Sequence, residues 1–202
     1  MHPKIRGDGD HGSSPLPAAI AMFRSLVHLD NPSYLLSRDL QIVRVNDAWV
    51  RFAEANGGHD MLARWGRGAF VLDAISGELR TYYRELFEGV LATGERCEHD
   101  YECSSDRVER LFRMVVYPVA APFLVVTHSL RVERTHDREV VHADEARYRR
   151  DGIIPMCSNC RRVQAVGAVD RWDWVPSWVA SLPPDVSHGL CPQCAQVFLA
   201  QV

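Results

Sequence analysis

Six cysteines stand in this 202-residue chain, and four of them form two C-x2-C pairs near its end: Cys157 with Cys160, and Cys191 with Cys194. Each short pair can turn back on itself and offer two thiolates to one cation. Thirty residues separate the pairs. Four sulfurs at tetrahedral geometry suit Zn²⁺, with Zn–S near about 2.3 Å. A structural zinc on these four residues is the leading expectation; a dithiol redox pair and an iron site are its competitors. Four thiolates would close the coordination sphere and leave no position for a reacting water. Neither G-x-S-x-G nor H-E-x-x-H occurs in the chain. An enzyme, either a zinc hydrolase or a thiol oxidoreductase, is therefore not expected. His188 lies three residues before Cys191 and reads as a group beside the metal, or at the surface, in preference to a spare ligand.

Cys97 and Cys103 invite a different question. They fall six apart on one predicted strand, about 20 Å at extended rise. A disulfide needs Cα atoms within about 7 Å, so these two read as ordinary strand residues. The chain carries 23 basic and 26 acidic residues, a formal charge of -3. It has no basic footprint for nucleic acid, no run long enough to span a membrane and no secretory signal at its start. A cytoplasmic setting follows, where disulfides are rare.

The elements that must position the cysteines divide unevenly. Residues 152–202 are too few for a large core, and a metal is the usual remedy. Trp172, Trp174 and Trp178, with Val179 and Leu182, are expected to supply the apolar part, or else to dock a partner. Residues 131–151 hold six basic and six acidic residues and are expected to form a charged helical linker, either a spacer or a lever. Residues 1–17, rich in Gly, Ser, Pro, Asp and His, are expected to be disordered. Residues 18–30 form an amphipathic helix with Ile20, Phe23 and Val27 on one stripe. That helix either packs on its own domain or forms a dimer.

Between them, residues 31–130 alternate as strand, strand, helices, then three strands. Strands are predicted at Pro32–Leu36, Gln41–Val45, Arg96–Cys103, Arg107–Tyr117 and Pro122–Leu130. Asn46 is placed to cap a helix through Ala55, and Leu79–Leu91 reads as the longest helix. The order indicates an α+β domain, an antiparallel sheet with helices on one face. Three stretches, "IVRVNDAWVRFAEANGG", "LFEGVLATGERCEHDYECSS" and "RLFRMVVYP", resemble the PAS domains of bacterial signalling proteins. The resemblance implies a five-stranded sheet facing helices around a central pocket, which senses a small ligand or else serves as a platform for a homodimer. The usual D-I-T exit is replaced by "THSLRVERTHDR". A flavin-adduct sensor of this family needs a cysteine where "WGRGAFVLDAI" has none, and a haem sensor often takes a histidine from the long helix, which has none. Neither cofactor is expected. His59, His99 and His128 read as structural or surface residues.

The tail also resembles a known element. "MCSNCRR", a Trp-rich stretch and "SHGLCPQC" are similar to a block that follows PAS or receiver domains in bacterial signalling proteins. The combined expectation is a small non-catalytic signal-transduction protein acting on an unidentified partner. The alternative is a transcriptional regulator using the tail on DNA. That alternative is disfavoured, because from Cys157 onward Arg161, Arg162 and Arg171 only balance Asp170, Asp173 and Asp185, and phosphate neutralisation dominates DNA affinity.

Overall fold

The computed structural model describes residues 14–27, 30–56, 58 and 60–199. Of the residues 1–17 expected to be disordered, 1–13 lie outside the described residues, as do His28, Leu29, Gly57 and His59, while Ser14 caps a helix that already includes Pro15, Leu16 and Pro17. Helix α1 (Pro15–Leu26) starts earlier and ends sooner than the expected 18–30. Ser14 Oγ accepts the Leu16 N–H, and Pro15 takes the first helical position, where a missing N–H is harmless.

Strands β1 (Ser33–Leu36) and β2 (Ile42–Val45) form an antiparallel pair. Asn46 then caps α2 (Asp47–Ala55). Its Oδ1 accepts from the amides of Trp49 and Ser33, and its Nδ2 donates to the Asn31 carbonyl at 2.8 Å. One side chain thus starts the helix and ties it to the first strand. Helix α3 (Met61–Trp65), a 3-10 turn (Val71–Ala74) and α4 (Glu78–Thr93) follow. Gly94 ends α4 in the left-handed region, φ 71°, which only glycine adopts at no steric cost. Strands β3 (Cys97–Glu102), β4 (Val108–Val119) and β5 (Phe123–Thr135) complete a sheet of order β2-β1-β5-β4-β3, antiparallel throughout.

This is the expected α+β architecture with a five-stranded antiparallel sheet. Leu79, Tyr83, Phe87 and Val90 of α4 pack on one sheet face with Met114, Val116, Leu124 and Val126. The opposite face is covered by α1, whose Ala19 and Phe23 meet Leu35, Val119 and Val125. Phe23 is 2% exposed, so the stripe read from the sequence is spent on the chain's own sheet.

The charged linker is not a helix. Strand β5 continues to Thr135, and only Glu145–Tyr148 (α5) is helical. Glu133 and Arg134 are paired across the ladder rather than along a helix: Arg110 bonds Glu133 at 2.6 Å and Arg134 bonds Glu109 at 2.7 Å, as cross-strand pairs do. Tyr148, with no exposed surface, anchors the end of this stretch in the tail.

The tail has strands β6 (Ile154–Cys157), β7 (Val163–Gln164), β8 (Trp172–Asp173) and β9 (Val186–Gly189), with α6 (Pro176–Ala180) and α7 (Pro192–Leu199). Their order is β8-β7-β6-β9, and β6 runs parallel to β9. Trp178 packs with Tyr148, Ile154, Met156, Val163, Ala165 and Val175. Trp174 is also buried, while Trp172 is partly so. Leu182, expected in this core, lies past the end of α6 and is 54% exposed; neither it nor Val179 belongs to the cluster, whereas Val175 does.

Candidate metal centre and adjoining cavity

The parallel pairing of β6 and β9 explains how cysteines thirty residues apart meet. Cys157 is the last residue of β6 and pairs with Gly189 at the end of β9. Both strands therefore deliver a C-x2-C pair to the same end of the small sheet. The first pair closes as a turn, with Arg161 N–H donating to the Cys157 carbonyl at 3.1 Å and Arg161 in the left-handed region, φ 61°. The second pair is the opening of α7: Cys191 precedes it, Pro192 begins it and Cys194 lies in its first turn. A helix N-terminus carries partial positive charge, which favours thiolates.

All four sulfurs lie within 4.8 Å of one another and all four residues are buried. Cys160 Sγ and Cys191 Sγ are 3.7 Å apart. Sulfurs at about 2.3 Å from a tetrahedral centre would stand about 3.8 Å apart, so the set fits such an ion. The thiols hydrogen-bond among themselves. Bonds from Cys160, Cys191 and Cys194 hold Cys157 far below the ordinary thiol range, while the bond with Cys157 holds Cys160 far above it. A cluster that shares protons in this way ionises fully only against a cation. The expected ligands Cys157, Cys160, Cys191 and Cys194 thus converge. His188 does not join them. It stands on β9, and its Nδ1 is buried without a hydrogen-bond partner.

The centre is sewn to the five-stranded sheet. Asn159, between the first two cysteines, accepts the Glu102 N–H at 3.0 Å and donates to Cys194 Sγ at 3.3 Å. Arg138 donates to Glu102 at 2.8 Å, to Glu109 at 3.2 Å and to the Cys160 carbonyl at 3.3 Å. Its guanidinium also lies 4.8 Å from the Trp174 ring centre. At Gly77, φ 63°, an added Cβ would stand 1.9 Å from the His188 carbonyl oxygen; the turn before α4 and strand β9 approach this closely only because Gly77 has no side chain. Phe198 of α7 meets Tyr82 and His99 at ring distances of 5.1 and 4.7 Å. The four cysteines and Phe198 accordingly belong to the same apolar cluster as Leu79, Tyr83 and Phe87.

Where the two parts meet lies a cavity of about 340 Å³, within the range of roughly 300–1,000 Å³ usual for small-molecule sites. Part of its lining is apolar and aromatic, with Ile42, Leu79, Tyr83, Phe87 and Met114 among the residues. The polar part, its rim, includes Glu102, Ser104, Ser158, Asn159, Arg161 and His188. His128 shares a 2.9 Å hydrogen bond with Tyr101 Oη, and burial pushes its pKa down to about 4. Burial also raises the Tyr34 and Tyr83 phenols, which stay neutral. Cys103 lines the cavity as a free thiol, and Cys97 is likewise free.

The spacing of the cysteines anticipates the buried cluster that could hold a metal, but not the rim beside it. Ser158, Asn159 and Arg161 lie inside or beside a C-x2-C motif, where attention falls on the sulfurs. Gly77 was the one local signal of a close approach, and nothing nearby names its partner.

No family model matches this chain, and no curated protein matches it significantly. Among solved structures it is similar to the PAS domain of the quorum-sensing receptor RpfR of Cronobacter turicensis, determined in complex with C12:0. The identity is 18% and the TM-score 0.41, over 53% of this chain and 99% of that one.

Proposed function

We propose that this chain is a small, non-catalytic signal-transduction protein of the PAS type, in which the cavity senses a small ligand and a zinc-stabilised tail passes the change on. One observation carries the reading: Ser158, Asn159, Arg161 and His188 of the tail form part of the cavity wall. A ligand entering the cavity therefore touches the element that holds the metal. Zinc is the ion we assign, because four thiolates in closed tetrahedral array suit it. When bound, it would clamp the ends of β6 and β9 together. The reading places the chain in the cytoplasm, where thiols stay reduced; no helix of the described residues is long and apolar enough to cross a membrane. It retains a homodimer and an unidentified signalling partner as the expected assembly, although the α1 stripe is already buried within the chain.

Native mass spectrometry of the full chain purified from its own source tests this reading. The expected result is one zinc per chain and a small copurified molecule that leaves when the metal is chelated. A chain without metal, whose cavity takes up no apolar dye, would overturn it.

A further inference from the structure

The ligand's chemical class can be read from the cavity's lining; this rests on the cavity being a ligand site, as proposed above. One rim group supplies a positive charge, and two others lack hydrogen-bond partners. Arg161 makes no ion pair and no side-chain hydrogen bond with the described residues. The other basic side chains at this seam are engaged: Arg138 with Glu102 and Glu109, and Arg162 with Cys160. Ser158 Oγ and His188 Nδ1, both of rim residues, are buried without partners. Buried polar atoms are nearly always hydrogen-bonded, so a rim with one uncommitted cation and two unanswered polar atoms matches an acceptor that arrives with the ligand.

The charge of that acceptor is limited by Glu102. This carboxylate is also on the rim, held by Arg138 at 2.8 Å and by Ser104 Oγ at 2.6 Å. A dianion such as a phosphate monoester would meet one cation and one anion. A monoanion meets its match in Arg161, whose planar fork accommodates a carboxylate with two parallel bonds. Much of the remaining lining is aromatic: Tyr34, Trp49, Trp65, Tyr83, Phe87 and Tyr101 all belong to it. Rings in such surroundings gain edge-to-face contacts beyond simple burial.

We propose that the cavity binds an aryl-substituted monocarboxylic acid, its ring among the aromatic side chains and its carboxylate on Arg161 and Ser158 beside the cysteine centre. The headgroup is then read by the turn that carries Cys157 and Cys160.

Calorimetric titration of the zinc-loaded full chain decides this, with 4-phenylbutyrate, its neutral counterpart 4-phenylbutanol and octanoate as probes. The acid should bind about 10-fold or more tighter than the alcohol, the usual scale for a charge-assisted contact. Arg161→Gln should erase that preference while leaving the alcohol's affinity within about twofold. If Arg161→Gln loses zinc or structure, Ser158→Ala takes its place; it should weaken the acid alone, by about threefold or more. Equal binding of acid and alcohol, or an unchanged preference in the folded variant, would overturn the headgroup assignment and leave the cavity reading standing. Octanoate binding more tightly than 4-phenylbutyrate would overturn the aromatic part. If none of the three binds and an apolar dye is also refused, the cavity reading itself falls.

Discussion

The five-stranded sheet and the cysteine tail are stabilised in different ways. The sheet is covered on both faces, and Leu35, Leu36, Val116, Leu124, Val125 and Val126 have no exposed surface. Its strands reach 12 and 13 residues in β4 and β5. In the tail, β7 and β8 have two residues each, and its own cluster holds seven buried residues. The cysteines and Phe198 are buried, but in the sheet's core rather than in the tail's. The difference teaches where each part's stability resides. Burial of apolar surface supports the sheet directly, at roughly 25 cal/mol per Å². The tail has less apolar burial of its own, and on the proposed reading it relies on a cation and on its seam with the sheet.

Removing the cation should separate the two most sharply. Apparent zinc-binding energies in small metal-held domains run about 10–16 kcal/mol, more than a whole domain's usual stability of about 5–15 kcal/mol. Cys157→Ser, or chelation of the full chain, should therefore release amide protection along β6, β7 and β9. Protection in β1, β4 and β5 should persist. Hydrogen exchange read by mass spectrometry distinguishes the two regions. Simultaneous loss in both would show that the shared core makes them one cooperative unit.

Arg138 is the next largest lever, because it serves both parts. Its side chain is 8% exposed, and those of Glu102 and Glu109 are 13% and 20% exposed. Breaking a buried pair by deleting one partner leaves charge uncompensated, at about 3–5 kcal/mol. Arg138→Ala should destabilise the chain by about 3 kcal/mol in urea unfolding, at the lower end because Glu109 keeps Arg134. Adding Glu102→Gln should recover part of the loss, so the two changes are not additive. Strict additivity would show that the seam is held by the Trp174 contact instead.

Much of this was legible beforehand, for reasons tied to particular residues. Asn46 before an apolar helix and Gly94 after one are local signals, and both ends formed where expected. The C-x2-C spacing is local too, and all four cysteines that it singles out converge in one buried cluster. The linker misled because balanced charge carries no period of its own. Glu133 and Arg134 alternate sign on an extended strand, which suits cross-strand partners on β4 as well as it suits a helix. The seam was illegible. Arg138 with Glu102, Gly77 with His188 and Phe198 with Tyr82 are contacts between residues 36, 111 and 116 positions apart, and no pattern within one segment announces them.

His128 sharpens the comparison from the sheet's side. It stands on β5, with a pKa lowered to about 4 by burial, against about 6.5 in an unfolded chain. Between those values the unfolded chain binds the extra proton and the folded one does not. The stability due to neutral His128 is therefore complete above about pH 6.5 and is lost as pH falls toward 4. The span of about 2.5 pH units corresponds to on the order of 3 kcal/mol. Urea midpoints of the sheet's transition should rise across this window, and His128→Gln should flatten the rise. A wild-type midpoint that does not change with pH would place His128 in contact with water.

The smallest expected effect tests the seam at one side chain. Asn159 joins the sheet's edge to the metal centre through two bonds of opposite sense, accepting from Glu102 N–H and donating to Cys194 Sγ. Asn159→Ala removes both and leaves the Glu102 amide without its partner, a loss of about 1–2 kcal/mol. Exchange at the Glu102 amide should accelerate about 5- to 30-fold if opening is local. Asn159→Asp divides the two roles. Its carboxylate can still accept from Glu102 N–H but cannot donate, and it sets a negative charge against the Cys194 sulfur. Partners beyond the ligands themselves typically contribute about 10- to 100-fold in metal affinity. The Asp variant should therefore keep slow exchange at Glu102 while binding zinc about tenfold more weakly in competition with a chelator. If it instead lost Glu102 protection and kept its zinc affinity, the amide nitrogen of Asn159 would have no part in holding the metal, and the centre and the sheet would be joined by Arg138 and Phe198 alone.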